Sequence, residues 1–69
     1  MNQYLVILEP TSTGYSAYSP DIPGCVSTGG TKEEAAQNMK EAVTFHLDGL
    51  KEEGLPIPQP CTEAVICEI

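Results

Sequence analysis

Apolar residues run without a break from Tyr4 to Leu8, stop at Glu9-Pro10, and give way to the loop-forming stretch Thr11-Ser12-Thr13-Gly14. An extended pattern resumes at Tyr15-Ser16-Ala17-Tyr18, so the first two segments read as strands of a hairpin. Pro20-Asp21-Ile22-Pro23-Gly24 then interrupts. Its Pro23-Gly24 pair suits the two central positions of a type II turn, with the glycine at positive φ. A third strand, Cys25 to Thr28, ends at Gly29-Gly30.

The period then changes. Ala35, Met39, Ala42, Val43, His46 and Leu50 recur at three- and four-residue spacing, while Lys40, Glu41, Asp48 and Lys51 fall elsewhere on the wheel, which predicts one amphipathic helix. Thr31-Lys32-Glu33-Glu34 has the form of a capping box, in which the Thr31 hydroxyl and the Glu34 carboxylate satisfy backbone donors left free at a helix start. Gly54 is placed to cap the other end in the left-handed conformation, and Pro56-Ile57-Pro58-Gln59-Pro60 cannot continue a helix. Gly49, inside the helix, marks either a close packing contact or a tolerated surface position. The remaining Glu63-Ala64-Val65-Ile66-Cys67-Glu68-Ile69 is rich in β-branched residues and reads as a last strand.

The predicted order is βββαβ, an α+β fold of two layers. Direction alternates through the three-strand meander, and a right-handed crossover through the helix then brings strand four parallel to strand one. The expected sheet order is 3-2-1-4, with the helix on one face. Both alternating sets of strand one, Tyr4/Val6/Leu8 and Leu5/Ile7, are apolar, as are Val65/Cys67/Ile69 and Ala64/Ile66 of strand four. One helix cannot cover both faces of such a sheet. A partner or a second copy is therefore expected to cover the second face, and in a homodimer the copies are expected to meet at Leu5, Ile7, Ala64 and Ile66. The stiff Pro56–Pro60 segment would allow strand four to be exchanged between copies. The helix from Lys32 to Glu53, at about 33 Å, would also overhang the much shorter strands.

Length narrows these readings to one domain, residues 1–69, because a chain of 69 residues supplies a single thin core. Charge narrows the partners. Ten acidic residues face three lysines and no arginine, a net charge of −7. Direct binding of nucleic acid or of an anionic membrane surface is not expected from such a surface, whereas a basic protein would be steered toward it. No apolar run reaches the roughly 20 residues of a membrane helix. The start lacks the basic and apolar regions of a signal peptide, so a cytoplasmic location is expected. Cys25, Cys61 and Cys67 cannot all pair and match no zinc spacing, which points to reduced thiols.

Little here points to catalysis. His46 is the only histidine, beside the apolar stripe and without a serine or cysteine at a spacing that suggests a nucleophile pair. A metal-dependent nuclease would need convergent acids. Glu33 and Glu34 belong to the helix start, Glu52 and Glu53 to its end, and Glu9 and Asp21 to turns. Neither a cofactor nor a metal is expected. Tyr15 and Tyr18 alternate across strand two, so one joins the core and the other faces away.

Two stretches carry a family resemblance: Tyr15-Ser16-Ala17-Tyr18-Ser19-Pro20-Asp21-Ile22-Pro23-Gly24-Cys25, followed by Thr28-Gly29-Gly30-Thr31-Lys32-Glu33-Glu34-Ala35, and His46-Leu47-Asp48-Gly49-Leu50-Lys51-Glu52-Glu53-Gly54-Leu55-Pro56-Ile57-Pro58. Together they resemble the N-terminal domain of the HicB antitoxin family across nearly the whole chain. The resemblance implies a partial ribonuclease H-like fold without nuclease activity. It also implies a partner, a small basic mRNA-cleaving toxin of the HicA type whose RNA surface the antitoxin covers. Orphan HicB-like domains, with a structural or regulatory role and no toxin, resemble this sequence equally. Candidate partner contacts are Tyr18, Asp21 and Ile22 around the turn and Asp48, Glu52 and Glu53 at the helix end. Family members usually continue into a helix-turn-helix or ribbon-helix-helix DNA-binding domain where this sequence stops at Ile69, so autorepression is not expected of these residues. Pro23, Gly24, Thr31, Glu34 and Gly54 are assigned to turns and caps.

Overall fold

The computed structural model describes residues 3–69. Three strands, β1 (Ile7–Pro10), β2 (Tyr15–Tyr18) and β3 (Val26–Gly29), form an antiparallel sheet in the order β1-β2-β3, and one helix, α1 (Lys32–Glu52), packs on one face. Pro10 pairs with Tyr15, which leaves Thr11–Gly14 as the hairpin loop, closed by the Thr11 N–H donating to the Gly14 carbonyl at 2.8 Å. Ladder pairing starts later than the apolar run suggests. Tyr4 to Val6 precede β1 and are half-buried.

The turns follow from local chemistry. Cys25 N–H donates to the Ile22 carbonyl at 3.3 Å across Pro23-Gly24, and Gly24 sits at φ 80°, the conformation required at the third residue of a type II turn. At the helix start Thr31 is extended, and its hydroxyl accepts from Glu34 N–H at 3.1 Å. The Glu34 carboxylate reaches one residue further back than a standard capping box and accepts from Gly30 N–H at 3.0 Å. At the other end Leu55 N–H donates to the Leu50 carbonyl and Gly54 N–H to that of Lys51, with Gly54 at φ 70°. These two bonds are a Schellman motif. A Cβ on Gly29 would lie 2.4 Å from the Ala35 nitrogen, so glycine there lets β3 end directly against the first turn of α1. Gly49 is exposed and a Cβ would meet nothing within 4 Å, which makes it a surface position rather than a packing contact.

The core is small: Ala17, Ile22, Cys25, Ala35 and Met39, with Tyr4, Val6, Leu8, Tyr15, Ala42 and Val43 packed around it. The helix therefore covers the Tyr4/Val6/Leu8 side of the sheet, with Tyr15 and Ala17. The cross-strand row Ile7, Tyr18, Val26 lies on the other side, where among the described residues no element covers it, and Val26, at the edge strand, also borders α1. Burial fades along α1, from Ala35 and Met39 with no exposed surface to half-buried Ala42, Val43, His46 and Leu50. A helix of 21 residues, about 31 Å long, outruns strands of four residues.

The expected fourth strand is corrected by the structure. Residues 63–69 form no ladder and are exposed throughout, so the described residues form three strands and not the 3-2-1-4 sheet. A strand is defined by its partner. β-branched composition makes residues 63–69 competent to pair, but the chain that leads to them is tied elsewhere.

Candidate protein-binding surfaces

Asp21 ties it. The carboxylate accepts from Thr62 Oγ1 at 2.7 Å, Thr62 N–H at 3.0 Å, Cys61 N–H at 3.1 Å and the Cys61 thiol at 3.2 Å. These bonds stabilise the charged form, the Thr62 hydroxyl foremost, and hold the carboxyl down at about 2. The same carboxylate pushes the Cys61 thiol up. A second tie comes from the Tyr4 hydroxyl, which donates to the Pro58 carbonyl at 2.5 Å.

The residues expected at a partner surface thus separate. Ile22 is 1% exposed and belongs to the core, because the type II turn folds its side chain under the sheet; it is not a surface contact. Asp21 is occupied by the tail. Tyr18 is exposed on the uncovered sheet face, and Asp48, Glu52 and Glu53 are exposed along the last turns of α1. The structure does not bring Tyr18 and Ile22 into one patch. Of the expected dimer residues, Leu5 and Ile7 are half-buried beside the uncovered face, whereas Ala64 and Ile66 stand in the free tail.

Two further residues complete an acidic and apolar surface that the helical pattern does not disclose. Phe45, the only phenylalanine, is 83% exposed, and Val26 is 70% exposed. Both line a groove between β3 and the second half of α1, with Gly24, Cys25, His46 and Glu53. On its other flank Phe45 stands beside Glu41 and Asp48. The available sequence signal was an aromatic residue off the apolar stripe, which has no core to enter. Such a side chain, with Glu41 and Asp48 beside Lys40 on one flank and Glu53 on the other, fits a partner that is on balance basic and offers an apolar pocket.

Cys25 and His46 share that groove, a pairing the spacing did not suggest. Burial pushes the Cys25 thiol up, the opposite of the depressed value that activates a nucleophile. Cys25, Cys61 and Cys67 are all free. Among the described residues no group of three or more His, Cys, Asp or Glu side chains could hold a metal ion, and no helix is long and apolar enough to cross a membrane.

The described residues thus form an acidic α+β unit with an open sheet face, an exposed aromatic and a tethered apolar tail. Residues 4–67 match the HicB_like antitoxin family of bacterial toxin-antitoxin systems, and the chain belongs to that family. A UPF0150 protein of Thermoplasma acidophilum is 36% identical over 64 residues, which cover 91% of this chain and 93% of the relative. A 14.9 kDa protein from the rep-hol intergenic region of Haemophilus phage HP1 is 41% identical over 56 residues, but this chain spans only 42% of it. Among solved structures, a chain of a HicA3 and HicB3 toxin-antitoxin complex superposes with a TM-score of 0.73 at 35% identity, covering 87% of this chain and 70% of that one.

Proposed function

We propose that this chain neutralises a small basic mRNA-cleaving toxin of the HicA type by covering its RNA-binding surface. The observation that carries the reading is the similarity to a chain of a toxin-antitoxin complex over 87% of the chain. The charge of −7 supports it, since opposite fields accelerate encounter. Such a chain acts in the cytoplasm, by binding and not by catalysis. Its partial ribonuclease H-like fold carries no metal-dependent nuclease chemistry, and it makes no direct contact with nucleic acid. Phe45, with Glu41, Asp48 and Glu53 around it, is the contact we assign to the toxin, and Glu52 extends the same acidic end of α1.

Co-expression with a short basic reading frame encoded beside it tests the reading: growth is restored and the two proteins co-elute. Neither rescue nor a complex would remove it. Phe45→Ala, at a position 83% exposed, should leave the fold intact and weaken the complex by about 1–2 kcal/mol if Phe45 is an anchor. The second reading is an orphan HicB-like domain with a structural or regulatory role and no toxin partner. A chain without a toxin-like neighbouring frame that still captures a defined partner through Phe45 would favour it.

A further inference from the structure

Gly49 has no role within its own chain. Glycine is the poorest helix former after proline, because it gives up the most backbone freedom on folding. Elsewhere the fold calls for it: Gly24 and Gly54 sit at positive φ, and Gly14 and Gly29 face backbone too closely to carry a Cβ. Gly49 has neither reason. It stands exposed three residues before the end of α1, its φ is not positive, and a Cβ there would meet nothing within 4 Å. Its neighbours along the helix show what the missing side chain leaves room for. Phe45, Gly49 and Glu53 follow one another at four-residue spacing, so they form a single row on α1, with Glu53 as the C-cap. All three border the groove that Val26 lines from the β3 side.

The row has a gap in it. Phe45 and Glu53 are about 12 Å apart along the axis at about 1.5 Å per residue, and within the row only backbone lies between them. The slot is apolar along Phe45 and Val26, 83% and 70% exposed, and negative at the Glu53 end. Glu52 and Glu53 stand where the last carbonyls of the helix are themselves negative, a place that favours a cation. Lys51, the basic residue of that turn, lines the groove on the other flank of α1 and does not fill this one. We propose that one arginine side chain of the basic toxin enters the slot: its guanidinium pairs with Glu53, and its stem lies on the bare backbone at Gly49 between Phe45 and Val26. Arginine is selected over lysine because a planar guanidinium gives a carboxylate two parallel N–H bonds, while the stem buries apolar surface. This chain contains no arginine, so the occupant belongs to a different protein and not to a second copy. A methyl group at Gly49 would take up the floor of the slot. This contact rests on the toxin reading and adds to it the chemistry of the partner's side.

The free chain and the complex should respond to Gly49 in opposite directions. Gly49→Ala should raise the thermal midpoint of the full chain by up to about 4–8 °C, since alanine is the better helix former. The same change should weaken the complex with the basic protein encoded beside this chain about tenfold, and Gly49→Leu should weaken it further, as read by calorimetric titration. Both variants binding as tightly as the wild type would make Gly49 a tolerated surface position and overturn the proposal. A lower midpoint for Gly49→Ala would place the need for glycine inside the fold and overturn it as well. Replacing each arginine of the partner by lysine in turn should single out one that weakens binding to the wild type about tenfold and adds little to the loss in Glu53→Gln. No arginine coupled to Glu53 would overturn the assignment. A wild-type chain that forms no complex removes the toxin reading and this contact with it, whereas a complex indifferent to Gly49 and Glu53 removes this contact alone.

Discussion

The segment from Ala17 to Met39 and the segment from Pro56 to Ile69 both carry apolar side chains, yet only the first supplies the core. Ile22 and Met39 are fully enclosed, while Val65, Ile66 and Ile69 are among the most exposed side chains in the protein. The difference is connectivity. The turn at Pro23-Gly24 and the cap at Thr31 fold the first segment back on itself within a few residues, so Ala17, Ile22, Cys25, Ala35 and Met39 meet one another. The tail follows a helix that overhangs the sheet, and its first anchored residues are held by hydrogen bonds at Tyr4 and Asp21 rather than by packing. An apolar pattern specifies that a surface wants covering; connectivity decides whether the same chain can cover it.

The sharpest way to break this contrast is truncation of one side chain in each segment. Met39→Ala should cost about 2–5 kcal/mol and threaten folding altogether, because it opens a cavity in a core of five residues. Val65→Ala, measured by urea unfolding on a chain diluted to monomer, should stay within about 0.5 kcal/mol. A large loss at Val65 in the monomer would show that the tail packs within its own chain.

Gly54 separates the two segments and provides the next largest effect. At φ 70° with nothing within 4 Å of a built Cβ, Gly54→Ala meets no steric obstacle, so its cost of about 1 kcal/mol is conformational strain alone. Thermal unfolding reads it. Loss of partner binding at unchanged stability would instead place Gly54 in a binding site.

The tether can be released without touching either core. Asp21 has its pKa lowered from 3.8 to about 2, so the tether is intact above about pH 4 and is lost as pH falls toward 2 and the carboxylate protonates. Asp21→Ala should have the same consequence at neutral pH, since it leaves no side-chain oxygen to accept from Cys61 and Thr62. Amide exchange at Cys61 and Thr62 should accelerate in both cases while that of Met39 is unchanged. Equal acceleration at Met39 would mean that the tail and the core unfold together.

The smallest effect belongs to Ser19. It is 3% exposed, and its hydroxyl has no hydrogen-bond partner among the described residues. Ser19→Ala should therefore be neutral or stabilise by up to about 1 kcal/mol, as judged by urea unfolding. Marked destabilisation would reveal a bond to a bound water.

Most of the local structure was legible from residue order. Thr31, Gly24 and Gly54 act through their own backbone conformations, and the three- and four-residue spacing of Ala35, Met39 and Val43 needs only a helix to become a face. These are short-range effects, so the sequence by itself determined the meander, the helix and its ends, the acidic balance and the family. Tertiary structure alone decided what depends on distant residues meeting. It put Ile22 in the core, because the turn that carries it closes under the sheet. It spent the Asp21 carboxylate on Cys61 and Thr62, 40 and 41 positions away. It also left Phe45 and the last seven residues without cover. A side chain's chemistry is written at its own position, but its burial is a property of whatever else arrives there.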